Sequence, residues 1–417
     1  MRNSPFGLVL VGLMLVLDVY VFQAIKVVSL GASPKARLIL YSIYWIISVL
    51  ALLTFLFLPY LNLEKYPGQT RNIVIAVLMG LFFAKLIAGL FLLLDDIRRL
   101  FQWGANRIFV SGEKNPETHS ASDKISRSIF LNWLGLAAGG GLFSSLIYGF
   151  TNKYDYRVKK VSINFQNLPA PFRGLKIVQI SDVHSGSFTN KAAVHNGIKK
   201  ILDLKPDLIL FTGDLVNNRA DEMDNYKDIF GQLKAPMGVY SVLGNHDYGD
   251  YVQWQSERHK AQNLEKLKQT QLEMGWRLLM NEHVVFEREG AKMALLGIEN
   301  WGAKARFPKY GKMNEAYKGT EGIPFKVLMS HDPSHWEAEV LESYKDIDLM
   351  LSGHTHGMQF GVEIPWLKWS PVQYVYKQWA GLYKNGHQHL YVNRGFGFLA
   401  YPGRVGILPE ITLIELI

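Results

Sequence analysis

Five short fragments hold the residues of this chain that could do chemistry together: Asp182-Val183-His184, Gly213-Asp214, Gly244-Asn245-His246-Asp247, His331, and Gly353-His354-Thr355-His356. They offer carboxylate oxygens and imidazole nitrogens, with the Asn245 amide oxygen as the one exception. That donor set suits two divalent ions of the Mn, Fe or Zn kind and a hydrolytic site, and it contains no thiolate. A lone Asp-x-His or Gly-Asp pair carries little information. The ordered series carries much more, because each fragment follows a short apolar run.

Those runs are Leu175–Ile180, Asp207–Phe211, Gly238–Leu243, Phe325–Met329 and Asp348–Leu351. Short apolar runs with helical stretches between them read as buried strands of an α/β sheet. The candidate ligands then collect at the carboxyl edge of the strands, where such sheets place their sites. From about Tyr156 to Ile417 the pattern is strand, helix, strand, with two exceptions. Tyr251 to Met274 is a long polar stretch rich in helix-forming Glu, Lys and Gln. Arg277 to Ile298 reads as a hairpin turning at Glu289-Gly290. Two β-rich sheets packed together, with helices outside, account for this order.

The 417 residues allow two or three domains, and the composition changes near Phe150. Before that point four stretches are long and apolar enough to cross a bilayer, which takes about 20 residues. They run approximately Phe6 to Ile25, Leu38 to Tyr60, Ile73 to Leu94 and Ile129 to Phe150. The first is too long for a secretory signal, is interrupted by Asp18, and has no small-residue cleavage site after it, so all four read as retained spans. Residues 1–150 are therefore a four-span transmembrane anchor and 151–417 the catalytic domain.

Four crossings put both ends on one side. Loops one and three carry Lys26, Lys35, Arg37, Arg98, Arg99, Arg107, Lys114, Lys124 and Arg127; the other side carries Arg2, Lys65, Arg71, Lys153, Arg157, Lys159 and Lys160. Nine basic residues against seven favours a multi-pass protein of the cell (inner) membrane with its catalytic domain extracytoplasmic. Asp18 and Lys85 fall inside spans and are expected to face one another. Gly139-Gly140-Gly141, with Ser144 and Ser145, offers close helix approach. The net charge of +9 fits basic residues flanking membrane segments, and the absence of cysteine excludes disulfides and thiolate catalysis.

With these residues in view, the chain resembles the calcineurin-like metallophosphoesterases, in their bacterial membrane-anchored branch. The likeness runs from about Leu175 to the C-terminus and includes Asn393-Arg394-Gly395-Phe396-Gly397, Arg404 and Pro409-Glu410-Ile411. Met358 departs from it, since relatives carry a second glycine there. The resemblance implies a four-layer αββα sandwich, an α/β (α+β) fold. It implies that Asp182, His184 and His356 hold one metal, that Asn245, His331 and His354 hold the other, and that Asp214 bridges them. Ions about 3.5–4 Å apart share a hydroxide that attacks phosphorus in line. The resemblance implies that His246 protonates the leaving oxygen or steadies the transition state, and Asp247 is expected to orient the His246 ring.

Arg394 and Arg404 are candidates for clamping a phosphate, with structural pairing as the alternative. The stretches Trp301–Tyr310, with Lys304, Arg306 and Lys309, and Trp366–Tyr383 form either a lip touching lipid or a loop covering the sheet edge. His195, His283, His335, His387 and His389 lack motif context and read as bystanders. The expected partners are a phosphorylated substrate, a lipid or cell-envelope intermediate among the candidates, and the membrane, with no nucleic acid. A nucleotide phosphodiesterase and a non-catalytic metal-binding scaffold are the competing functions.

Overall fold

The computed structural model of the chain describes residues 5–57, 68–109, 127–304, 307 and 309–417. Arg2, Tyr60, Lys65, Lys114, Lys124 and Arg306, named above, lie outside them. The chain divides into two compact units, Met1–Tyr148 and Gly149–Ile417.

The first unit consists, among the described residues, of four helices: α1 (Pro5–Val28), α2 (Pro34–Phe57), α3 (Gly68–Phe109) and α4 (Arg127–Gly149). Each contains a segment long and apolar enough to cross a membrane. A helix satisfies its own backbone polar groups, so it is the form such sequences take in hydrocarbon. The third helix is longer than its apolar run suggests, at 42 residues. Arg98 and Arg99, counted above as loop residues, therefore sit on it, each 2.8 Å from a carboxylate oxygen of Asp95.

Asp18 and Lys85 do form an ion pair. Ser48 joins them, donating to the Asp18 carboxylate at 2.9 Å and accepting from the Lys85 ammonium at 2.9 Å, while the Tyr44 hydroxyl donates to the Asp18 carbonyl at 2.7 Å. One polar knot thus ties α1, α2 and α3. Close approach in α4 uses Gly139, where a Cβ would lie 2.5 Å from the Ala84 carbonyl oxygen, and Gly135. Gly140 and Gly141 face open space instead, because they lie on other sides of the helix.

The second unit is built on two six-stranded sheets. The first runs β1 (Arg157–Ile163), β14 (Glu410–Leu416), β2 (Lys176–Ile180), β3 (Leu208–Phe211), β4 (Val239–Ser241), β5 (Arg277–Leu278). The second runs β12 (Gly381–Asn385), β13 (Gln388–Val392), β9 (Leu349–Ser352), β8 (Lys326–Met329), β7 (Ala291–Gly297), β6 (Glu282–Arg288). A separate pair, β10 (Val362–Ile364) and β11 (Leu367–Trp369), forms a small hairpin.

Strand alternation explains the layers. Leu208 and Leu210 of β3 point between the sheets toward Val327, Met329, Leu349 and Leu351. Their neighbours Ile209 and Phe211 point the other way, onto Val194 and Ile198 of α5 (Lys191–Asp203), Phe230 of α6 (Lys227–Phe230) and Leu267 of α7 (Glu257–Glu273). On the far side Leu296, Leu328 and Met350 pack on Met313 and Ala316 of α8 (Met313–Tyr317) and on Trp336 and Val340. The result is the four-layer αββα arrangement, in which both strand faces are buried and so read as continuous apolar runs.

The turn at Glu289-Gly290 forms as read, with φ of 51° and 77° at its two residues, as a tight two-residue connection requires, but the hairpin starts at Glu282, because Arg277 and Leu278 pair with β4 in the first sheet. The polar helix is shorter than expected. It begins at Glu257, where the Ser256 side chain accepts from the His259 amide and caps the first turn. Residues 251–256 stay outside it, which leaves Tyr251 free to turn back toward the strand ends.

Candidate metal centre

The five fragments meet at one edge of the two sheets, each in the loop that leaves a strand. Parallel pairing aligns the strand ends: Ile180 faces Phe211, Phe211 faces Ser241, and Met329 faces Leu351. Five of the seven candidate ligands take left-handed backbone conformations, with φ of 53° at Asp182, 48° at His184, 60° at Asp214, 71° at His354 and 51° at His356. Such conformations cost on the order of 1–3 kcal/mol each and persist where the surroundings over-determine them. Here the loops bond one another: the Asp182 amide donates to the Gly213 carbonyl at 2.9 Å, Val183 to Asp214 at 2.8 Å, and Gly353 to His331 at 2.9 Å.

Two motif glycines are required by this crowding. Gly213 has φ of 99° and a Cβ on it would lie 2.8 Å from His331 Nδ1. A Cβ on Gly353 would collide with the Asp182 carboxylate and the Ser181 hydroxyl. Met358 takes a left-handed φ of 55° without being glycine, a conformation that strains a residue with a side chain.

Two clusters result. Asp182, His184 and His356 bring one ligand atom each within 4.8 Å of one another, and so do Asp214, His331 and His354. Asp214 Oδ2 lies 3.2 Å from His331 Nε2 and 3.5 Å from His184 Nε2, so one oxygen faces both clusters. Its other oxygen is held by the His246 backbone amide at 2.8 Å. Asn245 Oδ1 lies 2.9 Å from His354 Nδ1, which in turn lies 3.3 Å from His331 Nε2. All seven candidate ligands thus converge. His184 Nε2 and His356 Nε2 are buried without a hydrogen-bond partner, although burying an unpaired polar nitrogen is costly. Lone pairs from imidazole and carboxylate aimed at shared points fit divalent cations.

Surrounding residues fix these donors. His331 Nδ1 meets the Thr212 carbonyl at 2.7 Å, leaving Nε2 for the cluster. The Asn245 amide nitrogen donates to the Tyr251 hydroxyl at 2.8 Å, which turns its oxygen toward His354. His354 Nε2 lies 3.0 Å from the Tyr376 hydroxyl, which donates to Asp332 at 3.3 Å. Tyr251, Tyr376 and Asp332 carry no motif signature, and sequence reasoning missed them.

His246 lies beside the clusters, its ring centroid 5.0 Å from that of His184 and 4.5 Å from that of Tyr251. Its Nδ1 meets the Asn217 carbonyl at 2.8 Å, leaving Nε2 as the ring atom available to act. Asp247 does not orient that ring. Its carboxylate accepts the backbone amides of Asp214, Leu215, Val216 and Gly244 at 2.8–3.2 Å, so it clamps the loop bearing Asp214.

Burial sets the electrostatics. It pushes His184 down to about 3 and His356 well below the usual imidazole range, keeping both neutral and able to donate a lone pair. For His331 burial also pulls downward, but the Asp214 and Asp182 carboxylates outweigh it and raise the group to about 10. Burial raises Asp182 to about 6, and burial with the Asp214 charge raises Asp247 to about 7. Asp214 is held well below the ordinary carboxylate range: burial opposes this, and the neighbouring His331 imidazolium, which also hydrogen-bonds it, overcomes it.

The two candidate arginines are turned into the fold. Arg394 is buried and pairs with Glu410 and, at 2.8 Å, with Glu363. Arg404 is fully buried and donates to the carbonyls of Arg394, Gly395, Gly397 and His356. The terminal nitrogens of both guanidiniums are engaged inside the fold, Arg404 also approaching His356 Nδ1 at 3.3 Å, while the Nε of each is buried without a hydrogen-bond partner. His195, His283, His335, His387 and His389 belong to neither cluster. His335, for example, bonds Ser330 and Glu339.

Comparison with known proteins agrees with this geometry. Residues 175–358 match the family model described as calcineurin-like phosphoesterase, and residues 2–153 match one described as a probable calcineurin-like phosphoesterase transmembrane domain. The chain is 31% identical over 282 residues to a transmembrane protein with metallophosphoesterase domain from Danio rerio, covering 65% of this chain and 60% of that protein. It is 29% identical over 308 residues to the Bacillus subtilis metallophosphoesterase YkuE, covering 70% of this chain and 98% of that one. It is 28% identical over 286 residues to the UDP-2,3-diacylglucosamine pyrophosphatase LpxG of Chlamydia trachomatis, covering 58% and 83%.

Proposed function

The chain belongs to the calcineurin-like metallophosphoesterases, and from that premise we propose that it is a membrane-anchored, two-metal phosphohydrolase cleaving a phosphoester or pyrophosphate bond. The observation that carries this is the position of Asp214 Oδ2, 3.5 Å from a nitrogen of one cluster and 3.2 Å from a nitrogen of the other. A single carboxylate so placed could serve both ions of a two-metal site. Asp182, His184 and His356 would hold one ion, Asn245, His331 and His354 the other. Divalent ions of the Mn, Fe or Zn kind bound there supply Lewis acidity toward a phosphoryl group and lower the pKa of water.

The chain's own residues do the rest. His246 delivers a proton from Nε2 to the leaving oxygen, its other nitrogen locked by the Asn217 carbonyl. Asp247, by clamping four amides, holds Asp214 at the centre. Tyr251 keeps the Asn245 oxygen inward. The name of the chlamydial relative, which describes a lipid pyrophosphate, supports a lipid-linked or cell-envelope substrate here.

The catalytic domain lies outside the cytoplasm in this reading, since the basic loops favour the opposite side. A C-terminal reporter active only in the cytoplasm should stay dark, and a bright one would reverse the orientation. The central test pairs metal analysis with hydrolysis of a panel of soluble and lipid phosphoesters and pyrophosphates. The parent should hold two ions per chain and turn over at least one class, and Asp214→Ala should lose both metal and activity. An Asp214→Ala protein with full metal content would overturn the bridging assignment.

A further inference from the structure

The β10–β11 hairpin is amphipathic the wrong way round for a surface in water. Cross-strand pairing sets Val362 opposite Trp369 and Ile364 opposite Leu367, with Glu363 opposite Lys368 on the other face. Antiparallel ribbons on a protein surface place their apolar face inward. Here the charged face is the one turned in: Glu363 meets Arg394 at 2.8 Å and Lys159 at 3.4 Å, and the Lys368 ammonium lies on the Trp379 ring and bonds the Ala380 carbonyl. Val362, Ile364 and Leu367 are exposed, Trp366 at the tip is 82% exposed, and nearby Tyr374 is 77% exposed. The front of the aromatic stretch, with Trp366 and Tyr374, therefore projects, while Val372, Tyr376 and Trp379 behind it are buried together with Ile407.

We propose that this hairpin seats its apolar face and Trp366 in the lipid interface of the membrane. Three observations select lipid as the occupant. The chain carries four candidate membrane spans. The root of the hairpin is linked through residues 404 and 405 to the start of the second unit: the Gly361 amide donates to the Val405 carbonyl at 2.9 Å, and the Arg404 amide donates to the carbonyl of Gly149, a residue of the candidate span Ile129–Asn152. Two backbone hydrogen bonds thus connect the hairpin's root to Gly149, the residue with which the second unit begins. The border of the patch is also interfacial in chemistry, with Trp and Tyr beside Lys304, which bonds the Val375 carbonyl at 2.6 Å, and the exposed Lys377.

The placement has a consequence for the site. Tyr376, two residues beyond Tyr374, meets His354 Nε2 at 3.0 Å, so the segment that touches lipid also positions a candidate metal ligand. This deepens the lipid-facing part of the reading above without resting on the metal clusters.

The chain contains no cysteine, so a single introduced thiol labels one site. Trp366→Cys, Leu367→Cys and, as a control on the β6–β7 turn, Glu289→Cys are made in the full chain, labelled with an environment-sensitive fluorophore and placed in phospholipid nanodiscs. Nitroxides carried near the head of the lipid acyl chain should quench the labels at 366 and 367 several-fold more than the label at 289, with a blue shift in emission. Quenching no greater than at 289 would overturn the proposal. So would efficient disulfide linkage of two Trp366→Cys chains without lipid quenching, which would assign the face to a second copy. Turnover of a soluble phosphoester is read separately: it should be unchanged in both hairpin variants, and its absence from the parent would count against the metal reading alone.

Discussion

Replacing His246 by alanine removes an imidazole while leaving the metal clusters' supports in place. The bond that holds Asp214 Oδ1 comes from the His246 backbone amide, at 2.8 Å, and survives any side-chain change. Asp247 continues to clamp the same loop through four amides. Metal content should therefore stay near the parent's. A positioned general acid contributes about 10²–10⁴-fold, or about 2.7–5.5 kcal/mol of barrier. The loss should depend on the leaving group, because a nitrophenolate departs without a proton and an alkoxide does not. Steady-state turnover of an aryl and an alkyl phosphoester by His246→Ala and the parent, with metal quantified on the same samples, reads this directly. The alkyl ester should suffer the full loss and the aryl ester much less. Equal losses on both would refute proton delivery by His246, and loss of metal would refute the separation of the two roles.

Tyr251→Phe removes the partner that turns the Asn245 oxygen inward, and such supporting contacts are worth about 10–100-fold in metal affinity. Titration with a competing chelator should show one site weakened and the other unchanged. His331, raised to about 10 without metal, must lose its proton to offer Nε2 as a ligand. Metal loading at pH 8 should therefore release a proton, and affinity should rise with pH up to about 10. Calorimetry in buffers of different ionisation enthalpy measures this, and no release would contradict the assignment. In the membrane unit, Lys85→Leu alone leaves the Asp18 carboxylate buried without its cation, costing about 3–5 kcal/mol, whereas Lys85→Leu with Asp18→Leu should cost less. Thermal unfolding of the full chain in detergent ranks them, and a double variant less stable than the single one would argue against a purely structural pair.

The candidate metal ligands were legible as a group because they sit in short motifs directly after apolar runs, so element order alone brought them to one edge. Asp182, His184, Asp214, Asn245, His331, His354 and His356 all converge there. The residues that aim them were not legible. Tyr251 was hidden in a polar stretch that propensity assigned to helix, and only the Ser256 cap, which starts the helix later, returns it to the site. Asp247 and Arg404 were assigned functional roles by type, since a carboxylate beside a histidine and an arginine near a phosphate site are common pairings. In the fold both are spent on backbone groups.

The sequence by itself determined the two-part organisation, the strand order of the sites and the identity of the candidate ligands, because hydrophobic period and motif spacing are local properties of the chain. Tertiary structure decided which nitrogen or oxygen each ligand presents, which charged groups are left over, and that the Val362–Trp369 ribbon turns its apolar face outward. Those outcomes depend on hydrogen bonds and ion pairs between residues far apart in the chain, such as Glu363 with Arg394 and Asn245 with Tyr251 and His354, and no local pattern encodes such partners.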